Sequence, residues 1–247
     1  MNSLHTVAII QARMGSTRLP GKVMEPILGI PMIGHVVERT AHIGGVDAVV
    51  VATSNSERER PLVEYVQAHR QARLFRGPEQ DVLARYVQAA HAFGAQAVVR
   101  ITGDCPLLSP RVSSRVVHTF FDSQPRCDYV TNTLTRTYPR GLDTAVMSLQ
   151  ALLRAHREAN SGPQREHVTP YIWSNPRKFR LVNVAANADR HHHRWTVDTA
   201  EDLRLVRAIF ETVGEPFFEY EQALDVLEEH PELAQINAEI SQKRLGR

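Results

Sequence analysis

Short apolar runs alternate with segments of helical spacing along the first half of this chain. Uninterrupted apolar runs are typical of strands buried on both faces of a sheet, and the 3.6-residue spacing between them is typical of amphipathic helices. The predicted strands are 7–10, 47–53, a short one around Phe75 and 97–102, and the predicted helices are 32–43, 57–69, 79–93 and 112–121. Strands joined by helices in this way pair in parallel. The pattern predicts an α/β fold: a Rossmann-like, mainly parallel sheet with helices on both faces.

The regular alternation ends near residue 127, and the next residues, 128–140, are rich in Thr, Tyr and Arg. We interpret 128–190 as a small lobe or dimer arm inserted beside the sheet, within a single domain that spans 1–247. The other elements predicted in this half are strands at 144–147, 178–185 and 194–198, a helix at 201–212 and an acidic helical tail at 219–240.

The charges are nearly balanced, with 29 Lys and Arg against 27 Asp and Glu. Proteins that coat nucleic acid have a strong basic excess, so no nucleic-acid partner is expected. No apolar run reaches the roughly 18–20 residues that span a bilayer, and no basic region precedes the first apolar stretch. Cys105 and Cys127 form neither a disulfide framework nor a metal-binding spacing. We therefore expect a soluble cytoplasmic enzyme without a membrane partner.

The loop after the first strand, 11–22, combines two glycines, two hydroxyl side chains and the cations Arg13, Arg18 and Lys22. Glycines let backbone N–H groups approach phosphate oxygens, Arg donates two hydrogen bonds at once and Lys supplies a point charge. The loop is not a Walker A motif, because five residues rather than four separate its glycines and valine follows the lysine. It is not G-x-G-x-x-G either. We interpret it as a polyphosphate-binding loop; the alternative is a solvated basic loop.

Two acids follow other predicted strands. Asp104 lies in the turn after the strand at 97–102, and Asp198 closes the strand at 194–198. Ligands of open parallel sheets bind at the carboxyl ends of the strands, so both acids should face the basic loop. Such a pair suits Mg²⁺, which keeps waters and substrate phosphates as its other ligands. The alternative for each acid alone is a turn or helix-capping role.

Five motifs resemble, in order, the cytidylyltransferase family of spore coat polysaccharide biosynthesis protein F. They are QARMGSTRLPGK, RITGDCPLL, DYVTNTLTRTYPRGLD, REHVTPYI and RWTVDTAEDL. That family is similar to the CMP-sugar synthetases acting on 3-deoxy-manno-octulosonate and acylneuraminate. The resemblance implies a nucleotide-diphospho-sugar transferase fold and transfer of CMP from CTP to a sugar or sugar acid. Pyrophosphate would leave, and the product would serve surface or spore-coat polysaccharide biosynthesis.

The resemblance also implies roles for individual residues. The catalytic cations would be Lys22, Arg13 and Arg18. The nucleotide-binding residues would be Gln11, Ala12, Arg13, Gly15, Ser16, Arg18, Lys22, Asp81, Thr102 and Gly103. The acceptor-binding residues would be Asn132, Arg136, Tyr138, Arg140, Asp143, Glu166 and His167. Asp104 and Asp198 would hold Mg²⁺, and a homodimer would form through 130–190.

Other interpretations remain open from the sequence. The same fold could use another nucleotide or a phosphorylated acceptor. The chain could also be a non-catalytic, nucleotide-binding partner in glycan assembly, although such a protein need not keep the cations and both acids. His167 could contact the acceptor, move a proton or only pack in a helix. We expect Cys105 to be a small buried residue and 191–193, three histidines, to be a solvated loop.

Overall fold

Seven strands form one sheet in the computed structural model, which describes residues 5–123 and 125–240. In chain order the strands are β1 (Thr6–Gln11), β2 (Pro26–Ile27), β3 (Ile30–Pro31), β4 (Ala48–Ser54), β5 (Arg73–Gly77), β6 (Ala97–Thr102), β7 (Tyr129–Thr131), β8 (Ala145–Ser148) and β9 (Leu181–Asn183). The sheet order is β5-β4-β1-β6-β8-β7-β9, and β2 and β3 form a separate hairpin. β8 runs antiparallel to β6 and β7, whereas the other pairs of this sheet are parallel. The predicted mainly parallel α/β fold is confirmed.

Helices cover both faces of the sheet. They are α1 (Met32–Ala41), α2 (Arg60–Ala68), α3 (Val82–Ala92), α4 (Pro110–Asp122), α5 (Leu149–Glu158), α6 (Gly162–His167), α7 (Pro170–Trp173), α8 (Ala200–Val213) and α9 (Tyr220–Glu229). Because neighbouring side chains of a strand point to opposite faces, Ile9 packs with α3, α5 and α7, whereas Ile10 packs with α1, α2 and α4. A third core joins α8 and α9 around the fully buried Trp195. None of the described helices has the length and apolar character that crossing a bilayer requires.

Residues 128–190, expected to form a lobe beside the sheet, add β7, β8 and β9 to the sheet itself. Their helix α5 packs on the same face as α3, and α6 packs directly against α3. The segment therefore widens the sheet on the side of β6 that faces away from β1.

Two element predictions are wrong. Residues 194–198 form one isolated bridge instead of a strand, because their N–H groups bond to two different segments: Trp195 to the carbonyl of Arg140, and Val197 to that of Asp104. The acidic tail is not one helix, since α9 ends at Glu229 and Pro231 follows shortly after. A residue before proline is disfavoured in helical conformation.

Candidate active site

Lys22 lies at the centre of an ion cluster where the loops after β1 and β6 meet the segment before α8. Its Nζ donates hydrogen bonds to Asp104 Oδ2 at 2.9 Å, to Asp198 Oδ1 at 2.9 Å and to the carbonyl oxygen of Val197 at 2.7 Å. The Lys22 side chain is only 10% exposed. The three polar segments predicted to share one edge of the sheet therefore meet there, and ion pairs join them.

The backbone of the basic loop turns back on itself to deliver Lys22. Ser16 and Gly21 both donate their N–H groups to the carbonyl oxygen of Met14. Gly21 has a φ of 73°, a left-handed conformation that glycine adopts without steric cost, and a short 3₁₀ turn, Lys22–Met24, begins directly after it. This turn directs the lysine inward, so a solvated loop does not describe this residue.

Three cations hold Asp198 in its ionised form. Arg18 Nη2 lies 2.9 Å and Arg194 Nη2 lies 2.8 Å from Asp198 Oδ2, while Lys22 binds the other oxygen. Burial works against the charge of this carboxyl, but the three cations outweigh burial and lower its pKa to about 2. Burial likewise opposes the charge of Lys22, but Asp104 and Asp198 outweigh it and raise the pKa of the ammonium. Lys22 and Asp198 are therefore both charged at neutral pH.

Asp202 supports the ion cluster from behind. This fully buried carboxylate accepts a hydrogen bond from Arg194 Nε at 2.9 Å and others from the backbone N–H groups of Asp198 and Thr199 at 2.9 and 3.1 Å. Asn237 Nδ2 adds a further bond at 2.9 Å. Asp202 and Thr199 also form the capping box of α8. The start of α8 thus fixes the position of Asp198.

Gly103 allows the loops after β1 and β6 to touch. Its N–H donates to the carbonyl oxygen of Gln11 at 2.9 Å. A Cβ at this position would lie 2.9 Å from the Cβ of Ala12 and 3.2 Å from the Gln11 carbonyl oxygen, so a side chain would force the loops apart. Thr102 pairs in register with Gln11. Four of the predicted nucleotide-binding residues therefore lie side by side.

Arg13 links the basic loop to the end of α6. Its Nη2 lies 3.6 Å from Glu166 Oε1, and both side chains are substantially exposed. Burial lowers the pKa of His167, and the charges of Arg100 and Arg13 lower it further while Glu166 opposes them. The imidazole is therefore neutral at neutral pH. Two predicted acceptor-binding residues, Glu166 and His167, thus stand beside the basic loop.

The predicted acceptor-binding residues in 132–143 differ in whether they already have partners. Arg136 and Asp143 form an ion pair through two hydrogen bonds of 2.5 and 2.7 Å. The Asn132 amide is buried, and both its nitrogen and its oxygen bond to backbone groups. The Arg140 side chain, in contrast, makes no hydrogen bond or ion pair within residues 5–123 and 125–240. In this stretch, Arg140 is the arginine left free for a ligand.

The structure does not bring Asp81 and Tyr138 into the ion cluster. Asp81 Oδ1 caps α3, and its Oδ2 accepts hydrogen bonds from Arg165 at 2.6 and 2.8 Å. Tyr138 is buried, and its hydroxyl accepts a hydrogen bond from Arg115 at 3.2 Å. Tyr138 lines a cleft of about 420 Å³ beside α4 and α9, away from Lys22. Contacts of Asp81 with nucleotide and of Tyr138 with acceptor stay predictions.

Comparison with known proteins assigns this arrangement to a family. The cytidylyltransferase family model matches residues 7–245. This chain belongs to the cytidylyltransferase family. It is therefore a nucleotidyltransferase enzyme, and the resemblance inferred from the five motifs is confirmed.

Several relatives of this cytidylyltransferase match most of its length. Spore coat polysaccharide biosynthesis protein SpsF of Bacillus subtilis is 31% identical over 237 residues, which are 92% of this chain and 95% of that protein. A cytidylyltransferase from Leptospira borgpetersenii superposes with a TM-score of 0.90 at 29% identity, over 98% of this chain and all of that one. CMP:2-keto-3-deoxy-manno-octonic acid synthetase complexed with CTP gives a TM-score of 0.64 at 25% identity, over 85% of this chain and 99% of that one.

The acids of this cytidylyltransferase fit a divalent cation. Asp104 and Asp198 are close enough for one ammonium to bridge them, and that ammonium marks a position where positive charge is held. The Asp104 side chain is 25% exposed, so a ligand can reach it. In the described part of the chain, no three His, Cys, Asp or Glu side chains gather to hold a metal. A Mg²⁺ ion here would take its other ligands from water and nucleotide phosphates.

Sequence analysis missed Glu59, which organises this cytidylyltransferase's basic loop. Its buried Oε2 accepts hydrogen bonds from the Met14 N–H and from Thr53 Oγ1, both at 2.9 Å, and so fixes the loop against β4. Glu59 stands in a run of alternating charges that is typical of a solvated helix start, so no sequence signal marks it. Asp202 was also missed, although the Thr-x-x-Asp capping pattern could have found it.

Cys105 and the histidine loop have no catalytic features. Cys105 is fully enclosed beside Asp104, and burial raises the pKa of its thiol well above the usual value. The thiol is therefore protonated at neutral pH and is a poor nucleophile. His191 and His192 are exposed, and His193 stacks on Trp195 with ring centres 5.6 Å apart.

Proposed function

We propose that this cytidylyltransferase transfers CMP from CTP to a hydroxyl group of a sugar acid and releases pyrophosphate. The observation that carries the proposal is Lys22, which bridges Asp104 and Asp198 directly after the glycine-containing basic loop. Fixed cations beside paired carboxylates suit a triphosphate that arrives with a metal ion. One solved relative is complexed with CTP, which supports CTP as the donor. The name of that relative contains a sugar acid, 2-keto-3-deoxy-manno-octonic acid, which supports sugar acids as the acceptor class. The product would serve polysaccharide biosynthesis, as the name of SpsF indicates.

In this reaction the acceptor oxygen forms a bond to the α-phosphorus of CTP, and the bond from that phosphorus to the bridging oxygen breaks. The hydroxyl proton passes to water, and pyrophosphate leaves. Negative charge spreads over the phosphoryl oxygens in the transition state, so preorganised cations supply most of the rate enhancement. Arg13, Arg18 and Lys22 are the catalytic cations of this proposal. Backbone and side-chain donors of the loop that includes Gly15 and Ser16 would hold the remaining phosphate oxygens.

Asp104 and Asp198 would hold Mg²⁺ together with the nucleotide. Bound there, the ion would neutralise phosphate charge and lower the pKa of an acceptor hydroxyl. Lys22 keeps the two carboxylates near each other in the structure, and it stays within reach of phosphates bound at the same place. Removal of magnesium should therefore abolish turnover, which a chelator titration of pyrophosphate release would show.

On the acceptor side, Arg140, Glu166 and His167 are the residues with geometry suited to a polar sugar. We further propose a homodimer through 130–190, because Leu134 and Trp173 expose 38% of their large apolar surfaces in this segment. Light scattering after size-exclusion chromatography would test the dimer, with a monomer mass as the contradicting result. We place the reaction in the cytoplasm, since both cysteines are free and buried, as in proteins of reducing compartments.

Thermal unfolding with CTP, UTP, GTP or ATP, each with and without Mg²⁺, tests the donor without knowledge of the acceptor. A ligand at a hundred times its dissociation constant adds about 2.7 kcal/mol of apparent stability. We expect the largest rise in Tm with CTP and Mg²⁺. Lys22→Met should lose this rise. Lys178→Met is the matched control, because Lys178 forms a surface ion pair with Glu158 and takes no part in the ion cluster.

Each alternative gives a distinct result in these assays. A rise in Tm with another nucleotide alone would keep the chemistry but change the donor. Pyrophosphate release with any acceptor excludes a non-catalytic nucleotide-binding partner. No rise in Tm with any of the four nucleotides would contradict the proposed donor site.

A further inference from the structure

Arg100 places a charge in the middle of the sheet. It lies on β6, where it pairs in register with Ile9 of β1 and with Ala145 of β8. Side chains of a strand alternate between faces, so Arg100 shares its face with Val98, which belongs to the apolar core under α3 and α5. Asp104 follows four residues later in the chain. A guanidinium thus lies at the edge of the apolar core, on the strand whose following turn carries Asp104.

This guanidinium has no partner in the part of the chain that the structure describes. Arg100 Nε is buried without a hydrogen bond, and no other atom of the side chain forms a hydrogen bond or ion pair there. The side chain as a whole is partly buried, and partial burial of a charged group without a partner lowers stability. A function that needs the free charge would explain why arginine stands at this position.

The acids around Arg100 already have cationic partners. Tyr86, Tyr129 and His167 lie within range of its charge, and Arg13 acts on the same histidine. The Tyr86 hydroxyl already donates to backbone carbonyl groups of β1 and β6. Glu166, which acts on His167, lies 3.6 Å from Arg13, and Asp143, which acts on Tyr129, is paired with Arg136. An anionic ligand would therefore find an unneutralised arginine here.

A strained turn follows His167 at the end of α6. Val168 has φ 70° and ψ −55°, and the Thr169 N–H donates to the His167 carbonyl oxygen at 2.8 Å, which together define a γ-turn with positive φ. This conformation is unfavourable for a β-branched residue, and Val168 is fully buried in spite of it. Strain of this kind persists where the surrounding structure enforces it, often at binding sites.

The sheet order indicates which substrate reaches Arg100. The basic loop follows β1, with β4 and β5 on one side of it, whereas β8 and β7 lie beyond β6 on the other side. Arg100 pairs with Ala145 of β8, which pairs in turn with Thr131 of β7, so Arg100 lies on the side of β1 away from β4 and β5. We propose that Arg100 binds the carboxylate of the acceptor and thereby selects acidic sugars over neutral ones. This assignment rests on the proposed cytidylyltransferase reaction.

Pyrophosphate release with matched acceptors tests the assignment. The probes are 3-deoxy-manno-octulosonate and N-acetylneuraminate, each compared with its methyl ester, which lacks the negative charge. We expect the wild-type protein to use at least one acid and not its ester. Arg100→Met should lower kcat/KM for that acid about 100-fold, the effect of removing one partner of a close charge pair, and Arg100→Lys should retain part of the activity. The KM for CTP should not change. Arg157→Met, at an exposed arginine of α5, is the control.

A second measurement separates binding from a structural role. Because Arg100 has no protein partner, Arg100→Met should leave Tm unchanged or raise it, whereas a structural arginine would lower Tm on removal. Loss of the CTP-induced rise in Tm in Arg100→Met would assign the residue to the nucleotide and overturn the proposal. Equal use of acids and esters, or no reaction and no Tm rise with either acid, would also overturn it. In those two cases the CTP-induced rise persists in the wild-type protein, so the donor proposal would survive.

Discussion

The ion cluster and the acceptor side of this site are built on opposite principles. In the ion cluster, every charge has a partner: Lys22 bridges Asp104 and Asp198, and Arg18 and Arg194 pair with Asp198. On the acceptor side, Arg100 and Arg140 lack ion pairs in the described part of the chain. The cluster is thus organised before any substrate binds. The acceptor side leaves two of its arginines, Arg100 and Arg140, for the ligand to neutralise.

Under the proposed function, this contrast separates the residues that act on the phosphates from those that select the acceptor. A prepaired cluster keeps its geometry without a ligand, and preorganised charges are the effective ones in phosphoryl transfer. Unpaired arginines instead cost stability, and they recover it when an anion of the right geometry binds. Substitutions in the two regions should therefore differ in kind: the cluster should affect turnover or folding, and the acceptor side should affect acceptor affinity.

The largest expected effect is on turnover in Lys22→Met. Loss of the ammonium removes a cation from the phosphates and leaves Asp104 and Asp198 facing each other. We expect turnover to fall about 10³-fold, the cost of losing one preorganised donor to the transition state. Pyrophosphate release measures the effect, and Lys178→Met should match the wild-type rate. Turnover within a few-fold of wild type in Lys22→Met would contradict the assigned role.

The next effect is on stability in Asp202→Asn. This fully buried carboxylate pairs with Arg194 and accepts two backbone N–H groups. Breaking a buried ion pair by changing one partner costs about 3–5 kcal/mol, so Tm and the urea midpoint should both fall. Asp189→Asn, at an exposed acid paired with His191, should change stability by less than about 1 kcal/mol. Equally small losses of stability in both variants would show that Asp202 does not hold the ion cluster in place.

Arg136 and Arg140, four residues apart, offer a direct test of paired against unpaired arginine. Arg136 is bound to Asp143, so Arg136→Met should lower Tm because it leaves that carboxylate unpaired. Arg140→Met should leave Tm unchanged and raise the KM for an acidic acceptor by about 10-fold or more, since charged hydrogen bonds contribute about 1.5–3 kcal/mol. Steady-state kinetics and thermal unfolding of both variants give the answer. A fall in Tm in Arg140→Met, together with an unchanged Tm in Arg136→Met, would contradict the comparison.

The smallest expected effect is at His193, which joins the two regions: its carbonyl oxygen accepts the Arg140 N–H, and Arg194 follows it. Burial, with help from His192 and Arg190, lowers the pKa of His193 from 6.5 to about 4. The unfolded chain therefore takes up this proton first as pH falls from about 6.5 to 4, and the folded state loses stability over that window.

His193→Gln should remove this contribution to the pH dependence. Its Tm should fall less between pH 7 and pH 4 than that of the wild-type protein, and the two curves should run parallel below pH 4. His191→Gln, at an exposed histidine of the same loop, is the matched control. Identical curves for the wild type and His193→Gln would show that the folded imidazole is not held neutral.

The parallel half of the fold could be predicted because its strands are apolar on both faces. β1 and β4 carry uninterrupted apolar runs, β6 carries one that only Arg100 interrupts, and their helices carry clear 3.6-residue spacing. In the segment 194–198, apolar Trp195 and Val197 alternate with polar residues as in a half-buried strand, but its hydrogen bonds go to two separate loops, which periodicity cannot reveal. The hairpin of β2 and β3 was also missed, since its turn requires positive φ at Leu28, a residue with no turn preference.

The site was predictable where function depends on strand ends. Each of the three central residues was expected at or after the end of a predicted strand. Lys22 lies in the loop after the first strand, Asp104 in the turn after 97–102 and Asp198 at the end of 194–198. The structure brings them together. Arg100 was missed because a single arginine in a strand has no periodic signature. Glu59 was missed because its partners are the Met14 N–H of a distant loop and hydroxyl groups at the end of β4. Side chains that act through tertiary contacts leave no local pattern.

The absence of a side chain at Gly103 has a mechanical consequence. Its N–H is bonded to the carbonyl oxygen of Gln11, and there is no room for a methyl group against Ala12. The turns after β1 and β6 are therefore held against each other. Asp104 is attached to one turn and Arg13 to the other. A ligand that fixes the loop after β1 should therefore also restrict the position of Asp104. Under the proposed function, binding of the donor and positioning of Asp104 are therefore coupled through a backbone contact.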